Sequence, residues 1–317
     1  MTGEMLEAKL VRLTMPQVDE AVPNPQAALL ATLEQQRSAL PVAGELALTP
    51  LRNHAYRLEH AGGFLFVKWL ADDDRYSANE IRVNQIGLTR GDIVVPRLVS
   101  VLQDSGGSIA IWEWLPGQDL RGEHRHRLPE AFAELGRFHT RRRHDGPVVS
   151  PTTLLHYPSL AAMLAAEVDH LCTPHPPELR GHCAAALSSL LPLGYATFIH
   201  GDLHPGNVML TPRGLVFTDW GYAIPSLNLF DLEYVHSIEL GYDFWAYMCP
   251  PESLPLLDAY FASSGLAPAD GRRAHLAVML WSELRMHSSF VETRRVEKVA
   301  RSSANIGLLL EEIGGRG

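Results

Sequence analysis

The chain has 317 residues, 46% of them hydrophobic and 20% charged, a balance that supports a sizeable core and excludes a disordered polymer. Twenty-seven Lys and Arg against 36 Asp and Glu leave a formal charge of −9, which offers no general attraction to nucleic acid or an anionic membrane and mildly favours cationic small molecules. Three scattered cysteines, Cys172, Cys183 and Cys249, have neither a disulfide framework nor a C-x-x-C metal spacing and read as buried thiols of a reducing compartment.

The first residues, MTGEMLEAKLVRLTMPQ, mix acidic and apolar side chains without the basic start and apolar core of a secretory leader, and no later run approaches a membrane-spanning length. The expected location is therefore cytoplasmic. Residues 25–40 follow with the spacing of a short amphipathic helix. Segments around Tyr56-Arg57-Leu58 and Phe64 to Trp69 predict strands joined at Ala61-Gly62-Gly63, and a helix is predicted over 77–88, closed by Arg90-Gly91-Asp92. Two further strands are predicted over 93–99 and 108–113, separated by the turn Asp104-Ser105-Gly106-Gly107.

Leu115-Pro116-Gly117 then breaks the pattern. Helices are predicted over 128–143, 158–172, 177–191, 229–240 and 252–263, with a long helical region over 272–312. The one interruption is a hairpin from Val208 to Thr218, turned at Thr211-Pro212-Arg213-Gly214. These elements predict an N-terminal helical extension over 1–45, a strand-rich unit over 46–115 and a helix-rich unit over 116–317. The basic run Arg141-Arg142-Arg143-His144 ends a helix, where cations suit the macrodipole, and reads as a solvated helix end rather than a nucleic-acid patch.

The densest polar constellation is Ile199-His200-Gly201-Asp202-Leu203-His204-Pro205-Gly206-Asn207-Val208-Met209-Leu210, set between two apolar runs. Four readings fit it: a metal cluster on His200-x-Asp202-x-His204, a phosphoryl-transfer loop, a binding loop without chemistry, and an ordinary polar turn. Phosphoryl transfer asks for a carboxylate facing the attacking hydroxyl and for carboxylate or amide oxygens that hold magnesium. Asp202 and Asn207 lie five apart in one loop, and the hairpin returns Asp219 to the open end beside Asn207. A zinc or iron cluster leaves Pro205-Gly206-Asn207 and Asp219 without a role.

His200-Gly201-Asp202 through Asn207, followed by Thr218-Asp219-Trp220, resembles the catalytic loop and metal-binding segment of the aminoglycoside phosphotransferase and choline kinase family, relatives of the protein kinases. The resemblance spans roughly Leu46 to Glu233. It implies an α+β, bilobal protein-kinase-like fold with a small antiparallel-sheet lobe and a mainly helical lobe. It also implies ATP and magnesium as cofactors, Asp202 as catalytic base, Asn207 as a magnesium ligand and Asp219 as the bridge from magnesium to the nucleotide phosphates.

On the same resemblance Lys68, in Phe66-Val67-Lys68-Trp69, is the lysine on the α- and β-phosphates, and Glu80 is the helix glutamate that orients it. The segment Ile111 to Gly117 is similar to the family's hinge, where the Glu113 carbonyl and the Leu115 amide read the adenine edge, Gly117 permits the lobe crossing, and Trp112 and Trp114 are packing residues. Asp231 matches an aspartate that braces the catalytic loop, with a plain helix N-terminal charge as the alternative. Gly136, in Leu135-Gly136-Arg137-Phe138-His139, matches a small residue that allows close helix packing. His200 and His204 are structural.

One element departs from the pattern. The phosphate-covering turn, Thr49-Pro50-Leu51-Arg52-Asn53-His54-Ala55-Tyr56-Arg57-Leu58, keeps Asn53, Tyr56 and Leu58 but has no glycine, and Pro50 removes a backbone donor. Arg52 or His54 is expected to take up part of the phosphate grip.

The implied activity is ATP-dependent O-phosphorylation of a small-molecule alcohol, a cationic one included: an aminoglycoside-like or other antibiotic, or alternatively a metabolic alcohol such as choline, homoserine or a sugar. A non-catalytic pseudokinase-like binder is the remaining alternative. The acidic residues Glu239, Asp243, Glu283 and Glu292 are the candidate acceptor-site liners. No nucleic-acid or membrane partner is expected, and the oligomeric state and the choice between ATP and GTP stay open.

Overall fold

Alternating burial along short apolar runs builds one antiparallel sheet at the N-terminal end of the chain. The computed structural model describes residues 25–51, 55–71, 75–85, 93–104, 107–233, 235 and 253–314. After helix α1 (Pro25–Gln35) come β1 (Ala47–Pro50), β2 (Ala55–His60), β3 (Gly63–Ala71), helix α2 (Arg75–Gln85), β4 (Leu98–Asp104) and β5 (Gly107–Glu113). The strands lie in the order β1-β2-β3-β5-β4, every neighbouring pair antiparallel.

The period of two sorts β3 onto two faces. Leu65 and Val67 join Leu58 and Ile111 in a cluster that α1 covers with Leu29 and Leu33, so the N-terminal helix belongs to the core of this lobe. Leu70, Ala110 and Trp112 make the core of the opposite face, with Phe66, Ile81 and Leu98 packed against it. Lys68 falls on this second face by register, the side from which α2 approaches.

The strand predicted over 93–99 starts only at Leu98. Pro96 has no amide to give a ladder. The segment before it is instead claimed by the rest of the chain: Ile93 is buried in the large helical core, and the Val94 carbonyl accepts the Phe217 amide at 2.8 Å.

Beyond Glu113 the chain forms β6 (Gln118–Asp119), α3 (Leu128–Arg141), β7 (Val148–Val149), β8 (His156–Tyr157), α4 (Leu160–Cys172), α5 (Pro177–Ser188), β9 (Ala196–Ile199), β10 (Val208–Thr211), β11 (Gly214–Phe217), β12 (Ile224–Leu227), α6 (Ser253–Ser264), α7 (Pro268–Glu292) and α8 (Val296–Gly314). The α3 stripe of Leu128, Ala131, Phe132, Leu135 and Phe138 is buried at helical spacing. Ser159 caps α4 by accepting the Ala162 amide at 3.3 Å. The long C-terminal helical region is broken into α7 and α8, with Arg294 in a left-handed conformation (φ 54°). Where a helix is predicted over 229–240, residues 228–232 form a single tight turn. Residues 236–240 and the expected phosphate turn at 52–54 lie outside the described residues. Cys172 and Cys183 are buried and free, and Cys249 lies outside the described residues. Among the described residues no helix is long and apolar enough to cross a membrane.

Two features of the helical lobe yield measurable consequences. A Cβ on Gly136 would overlap Ser263 Oγ and the Tyr260 carbonyl on α6, so the α3–α6 crossing requires the smallest residue. Gly136→Ala is expected to lose about 1–3 kcal/mol by overpacking, read as a lower denaturant midpoint at unchanged slope. His175 and His287 lie 4.9 Å apart between ring centroids, their planes tilted by 41°. Burial pushes both below the ordinary histidine value of 6.5, and the mutual proximity adds to the shift on His175. The folded state therefore favours the neutral rings: stability is full above pH 6.5 and falls as acid protonates the unfolded chain first. Thermal midpoints should decline from about pH 6.5 toward pH 5, and His287→Gln should make that decline shallower.

Candidate active site

The loop between β9 and β10 is held by a buried carboxylate. Asp231 accepts the His200 amide on Oδ2 and the Gly201 amide on Oδ1, each at 2.7 Å, and His139 Nε2 lies 3.0 Å from Oδ2. The Tyr260 hydroxyl sits 2.8 Å from the other ring nitrogen of His139. Asp231 is only 2% exposed, so these donors replace the water that a carboxylate requires. Of the two readings open for Asp231, the geometry is that of the loop brace. Gly201 has a φ of 80° and would place any Cβ against the Tyr222 carbonyl, which leaves glycine as the residue that fits.

Within the loop, His200 Nε2 donates to the Thr218 carbonyl at 2.8 Å and Nδ1 accepts the Asp202 amide at 3.3 Å, which commits both ring nitrogens. His204 Nδ1 accepts the Gly206 amide at 3.0 Å, and its Nε2 lies 3.9 Å from Asp202 Oδ2. Burial lowers the His204 pKa and the Asp202 charge only partly offsets it, so the ring stays neutral at physiological pH. Neither histidine is arranged as a ligand. Among the described residues no group of three or more His, Cys, Asp or Glu could hold a metal ion, which removes the His-x-Asp-x-His cluster.

Asn207 Nδ2 donates to the Asp202 carbonyl at 2.9 Å and to its Oδ2 at 3.3 Å. The amide nitrogen thus orients Asp202. The β10–β11 hairpin pairs Val208 with Phe217, and the Thr218 amide donates to the Asn207 carbonyl at 2.9 Å, which puts Asp219 beside Asn207 at the same open end. Asp219 adopts a left-handed backbone (φ 60°, ψ 61°), an uncommon conformation for a residue with a Cβ and one found at ligand clamps.

The two lobes meet at Lys68. Its Nζ is 2.8 Å from Glu80 Oε2 and 3.3 Å from Asp219 Oδ1. Burial alone would lower the Lys68 pKa, but the charges and hydrogen bonds of Glu80 and Asp219 together outweigh it and push the value up to about 12. Lys68 is a fixed cation over the whole working range of pH. Nothing in the sequence singles out Asn79, whose side-chain amide donates to the Gly221 carbonyl at 3.2 Å and to the Ala223 carbonyl, tying α2 to the Asp219 turn. Those partners lie more than 140 residues downstream, beyond any local pattern.

Glu113 ends β5, and its carboxylate accepts the Arg97 amide at 2.8 Å and Arg213 Nη2 at 2.7 Å, pinning the hinge from both sides. Leu115 follows, half-buried. Trp112 packs on Phe66 and Trp114 lies near Phe64, as expected of packing residues.

Beside the loop lies a cavity of about 550 Å³ whose lining includes Gly201, Gly221, Tyr222, Phe198, Glu233 and Arg285. Of the expected acidic liners, Glu283 is buried and Glu292 exposed, and neither lines it. Glu239 and Asp243 lie outside the described residues. Glu233, a boundary residue in the sequence pattern, does line it and is joined to Arg285 and, at 3.0 Å, to Ser282.

Three solved structures share this architecture. A thermostable variant of aminoglycoside phosphotransferase APH(4)-Ia, in ternary complex with ADP and hygromycin B, superposes with a TM-score of 0.59 at 12% identity over 89% of this chain and 98% of that one. The GDP complex of aminoglycoside 2′-phosphotransferase-IIIa gives 0.58 at 14% identity over 91% and 99%. A protein assigned as a fructosamine-3-kinase from Haemophilus somnus 129PT gives 0.58 at 14% over 90% and 96%. At such identities these likenesses establish the fold. No curated protein sequence matches the chain. The sequence profile of the phosphotransferase enzyme family matches residues 48–276, well over half the length, and the chain accordingly belongs to that family and is a small-molecule kinase.

Proposed function

We propose that this kinase transfers the γ-phosphoryl group of ATP to a hydroxyl of a small molecule, with nucleotide held over residues 46–115 and acceptor over residues 116–317. The observation that carries the reading is the junction at Lys68, which joins β3 to Glu80 and Asp219 at 2.8 and 3.3 Å while Asn207 orients Asp202 beside it. Five polar groups from distant parts of the chain converge without an apolar packing reason. A non-catalytic binder has no use for a loop amide that aims a carboxylate, so the enzyme reading is preferred over the pseudokinase-like one. Buried free Cys172 and Cys183 accord with a reducing cytoplasm as its compartment.

The residues fit magnesium: the Asn207 amide oxygen and the Asp219 carboxylate are hard oxygen donors at one hairpin end. When bound, magnesium would neutralise negative charge on the phosphates during transfer. Lys68 would contribute a fixed positive charge at the α- and β-phosphates, kept in place by Glu80. The Glu113 carbonyl and Leu115 amide would read the adenine edge. Asp202 would align the acceptor hydroxyl and accept its proton as the new O–P bond forms and the bond to the departing ADP breaks. Base assistance of this kind contributes about 10²–10⁴-fold. The solved relatives bound to hygromycin B and to nucleotides support an antibiotic acceptor as the first class to screen, with metabolic alcohols as the second.

Two substitutions test these roles. Asp202→Ala is expected to abolish ADP release in a screen of amino sugars, nucleoside antibiotics and small metabolic alcohols while calorimetric binding of magnesium-ATP stays near wild type. Near-normal turnover would reject Asp202 as the base. Asp231→Asn replaces one acceptor oxygen by an amide, leaving a buried donor unpaired. It should lower stability by about 1–3 kcal/mol and reduce kcat by about 10–100-fold with little change in nucleotide affinity. An unchanged kcat would show that the loop holds its shape without the brace.

A further inference from the structure

The cavity beside the catalytic loop carries a charge pattern that differs from the chain's overall acidity. Gly201 precedes Asp202 and Gly221 lies two residues after Asp219, so the cavity lies beside both segments. Its walls are apolar: Val149 and Leu154 on one side, Phe198, Ile224 and Pro225 on another. Among the described lining residues Glu233 is the single carboxylate, and Arg285 and Ser282 both engage its Oε1. Two arginines line the same space, Arg285 and Arg82, which gives the described lining a formal charge of two minus one, or +1.

Arg82 stands on the exposed side of α2, two residues past Glu80, and makes no hydrogen bond or ion pair with the described residues. Of the two lining histidines, His144 is committed to the Pro147 carbonyl at 2.9 Å and packs edge-on against Phe198.

A polycationic amino sugar would bring several ammonium groups into this space, each needing a carboxylate to offset its lost hydration. The described lining offers one, already neutralised. An apolar ring or chain, by contrast, would bury well against the aromatic and aliphatic walls, and a volume of about 550 Å³ is ample for a drug-sized molecule. One anionic group on such a body would meet Arg82 as its free partner.

We propose that the acceptor is an alcohol on an apolar or aromatic body bearing a single carboxylate, with Arg82 as the specificity-determining contact and the hydroxyl directed to Asp202. This assignment rests on the phosphotransfer reading and narrows its acceptor.

The test is calorimetry on the full chain loaded with magnesium and a non-hydrolysable ATP analogue. The probes are aromatic and aliphatic hydroxycarboxylates, their methyl esters, and hygromycin B. The acids should bind about fivefold more tightly than their esters, a difference that shrinks with salt, and hygromycin B should bind more weakly than either. In Arg82→Gln the preference for acid over ester should vanish while the esters keep their affinity ranking. Equal binding of acid and ester, no binding of either, or tighter binding of hygromycin B would overturn the proposal. Turnover separates it from the underlying reading. Asp202-dependent ADP release with an amino sugar alone would retain phosphotransfer and remove the anionic acceptor. Binding of the acids without Asp202-dependent ADP release would remove phosphotransfer and retain the pocket.

Discussion

A half-buried cation joins the parts of this molecule that must act together. Lys68 leaves the middle strand of the N-terminal sheet and is shared by Glu80 on α2 and Asp219 at the end of β11. Taking an ammonium group partly out of water is unfavourable, and two carboxylates at 2.8 and 3.3 Å are what make it tolerable. Glu80 is itself largely hidden, with 10% of its side chain exposed, so water screens its half of the pair little. The Asp219 side chain, 45% exposed, contributes the more screened half of the bridge. The Lys68–Glu80 pair is the more enclosed half of the junction. Asn79 strengthens the same junction by holding carbonyls just past Asp219, so α2 is tied to the Asp219 turn by a neutral amide as well as by charge.

The catalytic loop uses a different device. Asp231 gathers two backbone amides and a histidine ring in the protein interior, and that triple contact dictates the direction in which the chain leaves β9. His200 then spans the loop to Thr218 and Asn207 ties Asp202 to the strand that follows. Because each of these donors is buried or half-buried, none can be exchanged for water without cost. Asp202 itself is left half-exposed among loop groups that are hydrogen-bonded to one another. Preorganisation of this kind is what phosphoryl transfer asks from a protein, since positioning and charge neutralisation do most of the catalysis.

How much of this was legible in the sequence follows from the range of each interaction. The loop and the hairpin were readable because spacing along one strand pair fixes their juxtaposition: Asn207 and Asp219 face each other as soon as Val208 pairs with Phe217. Lys68, on a different sheet, was readable only through the resemblance. Glu80 was readable through the resemblance and is confirmed as the partner of Lys68 by distance. Edge strand β1 was missed because only Leu48 of its four residues is buried, too little to give an alternating signal. The paired residues of β7 and β8 are two apiece, below any periodicity. The stretch 93–97 read as a strand on apolarity alone, whereas Pro96 and the pull of Phe217 on Val94 keep it out of the sheet. Asn79 and the Arg285–Glu233 pair depend on contacts between elements far apart in sequence, which no local pattern encodes.

The acceptor cavity shows the same limit for electrostatics. A formal charge of −9 favours cations near the surface as a whole, yet the field inside a cleft is set by the few groups that line it and by the low dielectric of its walls. There, among the described lining residues, a single carboxylate bound by Arg285 and Ser282 presents little negative potential, while the Arg82 guanidinium on α2, which has no hydrogen bond or ion pair with the described residues, presents a positive one. Burial raises the Glu233 pKa against the pull of Arg285, and the nearby charge of Asp202 raises it further. Glu233 is thus an unfavourable host for a second positive group, because Arg285 and Ser282 already engage its Oε1. Local pairing, not composition, decides what charge the site can accept.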